Sequence, residues 1–168
     1  REALFSSLQA VIPDVRFLDL FAGSGAVGVE AWSRGASQVC WVEENALVFR
    51  VLQQNLKTLG GEDLDRSTMR CVRSDVFSFL RKGLASPVFD IIFADPPYQK
   101  ARGGEDDALG TRLLQAVAES GMLIPRGIVI LEQGRNEPIP EAEGWELLRD
   151  RRYGGSRVRI FRSKGDET

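Results

Sequence analysis

Phe17-Leu18-Asp19-Leu20-Phe21-Ala22-Gly23-Ser24-Gly25-Ala26-Val27-Gly28 passes from an apolar run into a helical pattern through three glycines. Gly23, Gly25 and Gly28 match G-x-G-x-x-G, a spacing that turns a strand sharply into a helix. Bare glycine backbone also lets a ligand lie against the turn, with the amides of the helix N-terminus facing it. The stretch reads as the opening unit of a nucleotide-binding α/β fold. A purely structural turn is the alternative.

Beyond this turn, short β-rich runs alternate with helical patterns. The expected strands are Arg16–Phe21, Gln38–Glu43, Met69–Arg73, Val88–Ala94 and Gly127–Glu132. Between them, Ala46–Leu59 repeats Val48, Val51, Leu52, Leu56 and Leu59 at helical spacing, and Leu109, Leu113, Ala116 and Val117 repeat it later. Such alternation predicts βαβ units and a parallel sheet with helices on both faces. The rhythm breaks at the end. Trp145–Arg152 and Arg157–Arg162 flank Tyr153-Gly154-Gly155-Ser156, an antiparallel hairpin closing a mostly parallel seven-stranded sheet. Along Arg157–Arg162 the alternation sets Val158 and Ile160 on the opposite face from the arginines. No repeat or linker divides residues 1–168, so one domain is expected.

Composition narrows the chemistry. The chain of 168 residues has no histidine, which removes His-based acid–base catalysis, the serine triad and His-containing zinc sites. Two cysteines, Cys40 and Cys71, are too few for a disulfide scaffold or a Cys-only zinc site, so no metal is expected. Both lie in apolar stretches and read as buried, reduced thiols suited to the cytoplasm. No apolar run approaches the ~20 residues that span a bilayer. Net charge is −2, yet residues 149–164 carry seven basic side chains against Asp150 alone. Such a strip either attracts phosphates or guards an edge strand against sticking to other edges.

Glu43 ends the second strand 20 positions after Gly23, where a carboxylate can grip two ribose hydroxyls. That feature suits NAD and S-adenosylmethionine equally. Two further acids favour the methyl donor. Asp19, at the end of the first strand, can face its methionine ammonium, and Asp75, just past the third, can accept from its adenine amino group. Helix capping by Ser74 or Asp75 is the plainer reading of the latter.

The decisive motif is Asp90-Ile91-Ile92-Phe93-Ala94-Asp95-Pro96-Pro97-Tyr98. A buried strand ends in an acid, two prolines and an aromatic ring. Each proline fixes its own φ and lacks an N–H, so the segment is stiff. It offers the Asp95 carboxylate and a backbone carbonyl, that of Pro96, as fixed acceptors beside a stacking ring, Tyr98. An exocyclic amine on a nucleobase is a poor nucleophile, because its lone pair is delocalised into the ring. Accepting from both its N–H groups stabilises the positive charge that grows on nitrogen during attack. Tyr98 would stack on a flipped or unpaired base. Gln99–Asp107, next to this motif, reads as a surface loop beside the site.

With these residues in hand, the chain resembles the bacterial 16S ribosomal RNA guanine-N2 methyltransferases. The stretches that carry the resemblance are Arg1-Glu2-Ala3-Leu4-Phe5, Leu18–Ala31, Val42-Glu43, Asp95-Pro96-Pro97-Tyr98 and the Tyr153-Gly154 hairpin, in order and across nearly the whole chain. The resemblance implies a Rossmann-like class I methyltransferase fold, S-adenosylmethionine as donor (S-adenosylhomocysteine as product), and a guanine of the 966 type in 16S rRNA or a small-subunit assembly particle as acceptor. Asp95, Pro96, Pro97 and Tyr98 would form the catalytic pocket. Asp19, Gly23, Gly25, Glu43 and Asp75 would hold the donor, with Phe21, Ala22, Ser24, Glu44 and Val76 beside them. Arg151, Arg152, Arg157 and Arg159 are the candidate RNA contacts, and a monomer is expected.

The family has a basic N-terminal segment with a β-hairpin ahead of the Arg-Glu-Ala-Leu-Phe helix. This sequence begins inside that helix and is expected to be part of a longer chain, binding the donor better than it methylates. Three other readings compete. The same pocket serves adenine-N6 methylation of RNA or DNA. An NAD-dependent oxidoreductase would use the glycine turn but leave Asp-Pro-Pro-Tyr unexplained. A non-catalytic RNA-binding protein would keep the fold alone.

Overall fold

A computed structural model describes residues 2–60, 67–83, 88–97 and 109–165. The order is α1 (Glu2–Ser7), β1 (Arg16–Leu20), α2 (Ala26–Ser33), β2 (Gln38–Glu43), α3 (Ala46–Gly60), β3 (Met69–Arg73), α4 (Val76–Lys82), β4 (Phe89–Ala94), α5 (Leu109–Ser120), β5 (Leu123–Gly134), β6 (Trp145–Tyr153) and β7 (Ser156–Ser163). The seven strands lie in the order β3-β2-β1-β4-β5-β7-β6. Strands β1 to β5 pair in parallel, and β7 runs antiparallel to both β5 and β6. This is the Rossmann-like class I methyltransferase arrangement, with the expected C-terminal hairpin turning through Gly154-Gly155.

Central strands are apolar on both faces because helices cover both. Phe17, Val39, Trp41, Ile91 and Phe93 join Phe5, Val27, Leu52 and Leu56 in one core layer. Leu18, Leu20, Val42, Ile92 and Val129 join Val76, Leu80, Leu113 and Val117 in the other. The buried stripe on α3 is narrower than its periodicity predicts. Leu52 and Leu56 are buried, whereas Val51 and Leu59 stand about half exposed, outside the arc that meets the sheet. None of the described helices is long and apolar enough to cross a membrane.

Strand β5 begins earlier than expected, at Leu123, but pairing with β4 skips from Leu123 to Ile128. Pro125 has no N–H to donate, and Arg126 takes φ 61°, so the chain bulges out before continuous pairing begins. At the amino edge of the sheet, Arg16 ties β1 to β4. Its backbone N–H and its Nε donate to Asp90 Oδ2 at 2.8 and 3.0 Å.

The strand order fixes where a ligand can sit. β1 is followed by β2 on one side and adjoins β4 on the other, so the sheet changes direction between β1 and β4. In open α/β sheets the crevice at the carboxyl ends of such strands is the binding site. Leu20 pairs with both Val42 and Ala94, which puts Phe21, Glu43 and Asp95 in one rank just past the sheet.

Candidate active site

The glycine turn is held from below by Asp19. Gly25 is the N-cap of α2 and has no side chain to satisfy the helix's first amides. Asp19, 1% exposed on β1, does so from the sheet: its Oδ2 accepts from the Gly28 N–H at 3.0 Å. A carboxylate at a helix N-terminus also complements the helix dipole. Asp19 therefore lies beneath the turn, where its first function is to cap α2.

The three glycines serve different needs. Gly23 has φ 58°, and a Cβ there would meet nothing within 4 Å. Its side of the turn is open. Gly25 and Gly28 face inward, where a Cβ would overlap the Trp41 indole or the Leu52 side chain. Trp41 is wholly buried and its Nε1–H donates to Gly25 O at 3.0 Å. No local pattern marks Trp41 as the pillar of the turn, since its partner lies 16 residues away. Phe21, the last residue before the turn, takes φ 56°, and the Ala22 N–H donates to Val42 O at 2.9 Å. A non-glycine residue in this conformation is strained, and such strain concentrates at functional sites. Ser24 is exposed, and its carbonyl accepts from Asn55 Nδ2 at 2.9 Å.

Glu43 joins the turn to the next helix. Its Oε1 accepts from Gly23 N–H at 3.0 Å and its Oε2 from Asn45 N–H at 2.8 Å. Asn45, unremarked in the sequence, caps α3: its Oδ1 accepts from Leu47 and Val48 at 3.0 and 3.1 Å. Glu44 is exposed. Asp75 caps α4, its Oδ2 accepting from Ser78 N–H at 2.8 Å. Val76 is 2% exposed in the core, leaving only its backbone to face a ligand. Asp19, Glu43 and Asp75 thus engage backbone amides at the turn or at a helix start, which fixes their positions before any ligand arrives.

Asp95 and Pro96, both half-buried, and exposed Pro97 follow β4 on the far side of Phe21 from Glu43. With neighbouring strands ~4.8 Å apart, Glu43 and Asp95 flank a crevice roughly 10 Å wide. Tyr98 and the Gln99–Asp107 loop lie outside the described residues.

The basic strip is divided by the fold. Pairing of Gly134 with Ser156 brings the hairpin turn to the same edge as Asp95. Arg151 and Arg152 are exposed there. Arg157 is paired, its Nε 2.5 Å from Asp150 Oδ1. Arg159 departs from its expected place on an RNA-facing surface: it is 2% exposed, because the segment following β5 covers the face that alternation assigns to the arginines. Its Nη1 donates to Gln133 Oε1 at 2.6 Å. Of the thiols, Cys40 is buried and Cys71 only half-buried, and both are free.

A family model described as Conserved hypothetical protein 95 matches residues 1–162. The ribosomal RNA small subunit methyltransferase D of Escherichia coli K12 is 32% identical over 163 residues, spanning 96% of this chain and 75% of that one. The solved E. coli yhhF structure superposes with a TM-score of 0.82 at 31% identity, covering 98% of this chain and 86% of that chain. An RNA methyltransferase from Salinibacter ruber, solved with S-adenosyl-L-homocysteine, shares the fold at a TM-score of 0.67 and 15% identity, covering 100% of this chain and 94% of that chain. The chain belongs to the Conserved hypothetical protein 95 family, whose curated relatives include ribosomal RNA small subunit methyltransferase D.

Proposed function

We propose that this chain methylates the exocyclic N2 amine of a guanine in 16S rRNA, with S-adenosylmethionine as donor. The observation that carries the reading is the position of Asp95-Pro96-Pro97 beside the glycine turn, across the sheet's switch point from Glu43, in a chain whose relatives are named as rRNA methyltransferases.

The residues fit the donor. Gly23 offers open backbone where a Cβ would fill the space, Glu43 is bonded to its amide, and Asp75 follows the neighbouring strand at the same edge of the sheet. When bound, the donor supplies an electrophilic methyl group on a sulfonium. Glu43 would accept from the ribose hydroxyls, Asp75 from the adenine amine, and buried Asp19 would favour the cationic end through its negative potential. Phe21, Ala22, Gly25 and Ser24 would shape the turn around the donor, with Glu44 and the Val76 backbone at its rim.

The catalytic work falls to the segment after β4. The Asp95 carboxylate and the Pro96 carbonyl accept the two N–H groups of the target amine. Both bonds strengthen as nitrogen becomes positive, so they favour the transition state over the ground state. The proton that nitrogen sheds after transfer passes from its N–H to the Asp95 carboxylate, the base among these acceptors. Pro96 and Pro97 keep them rigid, and Tyr98 would stack on the base. Arg151 and Arg152 would meet RNA phosphates at the same edge, with Arg157 limited by its pairing to Asp150.

Incubating the chain with radiolabelled donor and unmodified small-subunit RNA or particles, then resolving the nucleosides, tests this. Label in N2-methylguanosine at a 966-type site is expected. Label in N6-methyladenosine, or none, would overturn the assignment.

A further inference from the structure

The turn that follows β5 is built more firmly than a surface connection requires. Glu137 N–H donates to Gly134 O at 3.1 Å, closing a β-turn with Arg135 and Asn136 at its two central positions. Both of those residues are exposed. The Glu137 carboxylate folds back to accept from Gly134 N–H at 2.9 Å and from Gln133 Nε2 at 3.1 Å. Its charge is thus directed into the turn. Among the described residues Arg135 makes no ion pair.

A buried cation clamps the turn from beneath. Arg159 Nη1 donates to Gln133 Oε1, to Glu137 O at 3.1 Å and to Pro138 O at 3.1 Å. Its Nε lies 3.3 Å from Asp150 Oδ2, close enough for charge pairing though not aligned as a hydrogen bond. Burying a guanidinium is costly unless charge pairing and hydrogen bonds offset it. Here those bonds go largely to the carbonyls and side chain of one turn, so the buried charge serves to fix it. Gly110, at the start of α5, packs on the same group, since a Cβ there would strike Pro140 and the Gln133 amide.

The turn stands on the acceptor side of the crevice. Ala94 pairs with Leu131, so Asp95 ranks beside Glu132, and the turn begins two residues further on. At ~3.3 Å per residue and ~4.8 Å per strand, its backbone starts within about 10 Å of the Asp95 position. A guanidinium and an amide carried on a fixed backbone turn at that distance from a reacting base match the sugar–phosphate backbone flanking it. Arginine and asparagine contacts of this kind fix register without reading sequence.

Resting on the rRNA-methylation reading above, we propose that the Arg135–Asn136 turn is an RNA-backbone contact next to the target base, and that Arg159 is the positioning residue that holds it. The test compares the wild-type chain with Arg135→Ala/Asn136→Ala, using Lys164→Ala, an exposed cation at the opposite edge of the sheet, as control. Each is assayed for methyl transfer to small-subunit RNA across a salt series, alongside S-adenosylhomocysteine binding. The double variant should raise KM for RNA about 5–10-fold, with kcat within about twofold and homocysteine-product affinity unchanged. The slope of log affinity against log salt should fall by about one. Arg159→Met should show the same KM rise plus a lower Tm, but the surface double variant decides the matter even if Arg159→Met fails to fold. Wild-type transfer with an unchanged KM and slope in the double variant would overturn this inference alone. Absence of transfer by the wild type would overturn the methylation reading and this inference with it.

Discussion

The Gly28 amide donates to the carboxylate of Asp19, nine residues earlier, at 3.0 Å. The end of β1 and the first turn of α2 are therefore one unit, joined through a buried charge rather than through loop residues. This explains why an acid is needed inside a strand whose Phe17, Leu18 and Leu20 are packed in apolar layers.

Asp19→Ala should accordingly cost about 1–3 kcal/mol of stability, the range for leaving a buried donor unsatisfied. It should also weaken S-adenosylhomocysteine binding, because the turn loses its fixed shape. Thermal unfolding and calorimetric titration report the two effects separately. Retained stability and affinity would show that the bond is dispensable.

The glycines should separate by phenotype. Gly28→Ala puts a methyl group into the Trp41 indole, and overpacking of this kind costs about 1–3 kcal/mol. Gly23→Ala meets no protein atom and strains only one residue, by roughly 1–2 kcal/mol. A branched residue such as valine at position 23 should fill the open side of the turn and abolish product binding. Comparable product affinity in Gly23→Val and wild type would contradict an open cradle there.

Acid should weaken the link between β1 and β4. Burial alone would raise the Asp90 carboxyl, but its side-chain and backbone hydrogen bonds with Arg16, and the guanidinium charge, together hold it below the usual range. A lowered folded-state value means the contribution is present above the unfolded carboxyl value of ~3.9 and is lost as pH falls through the folded value. Both partners are partly exposed, so the effect is modest and screened by salt. Tm measured from pH 6 to pH 2 should fall more steeply for the wild type than for Asp90→Asn. Parallel curves would remove the pair from acid sensitivity.

Thiol reactivity should follow burial. Burial pushes the Cys40 thiol up to about 12 and raises Cys71 in the same direction. Thiolate is the reactive form, so native protein at pH 8 should label slowly at half-buried Cys71 and reach Cys40 only on unfolding. Two fast-reacting thiols under native conditions would contradict the packing of β2 against β3.

The parallel core was legible because strands buried on both faces write themselves as apolar runs. β2 and β3 begin and end at the expected residues, and the hairpin follows from Gly154-Gly155. What was hidden depends on contacts between distant parts of the chain. Alternation along β7 separates Arg159 from Val158 correctly, yet nothing local tells that Pro138 and Glu137 cover the arginine. The glycine pattern implies a close approach without naming Trp41 as the neighbour. The carboxylates Asp19 and Glu43 could be singled out from their places at strand ends, but not as a cap and a clasp of the backbone, whereas the cap made by Asp75 was open to local reading. Asp95-Pro96-Pro97 was found from chemistry at a strand end, and the strand order then placed it at the switch point.

In the proposed reaction Asp95 acts on the acceptor amine and not on the donor. The most direct test of this role measures methyl transfer to small-subunit RNA and S-adenosylhomocysteine affinity in wild type, Asp95→Asn and Asp95→Ala. For alanine, kcat should fall by about 10²–10³-fold, the range for removing one preorganised stabilising group. Product affinity should stay within about twofold of wild type in both variants. Loss of affinity in parallel with turnover, or full turnover without the carboxylate, would contradict it.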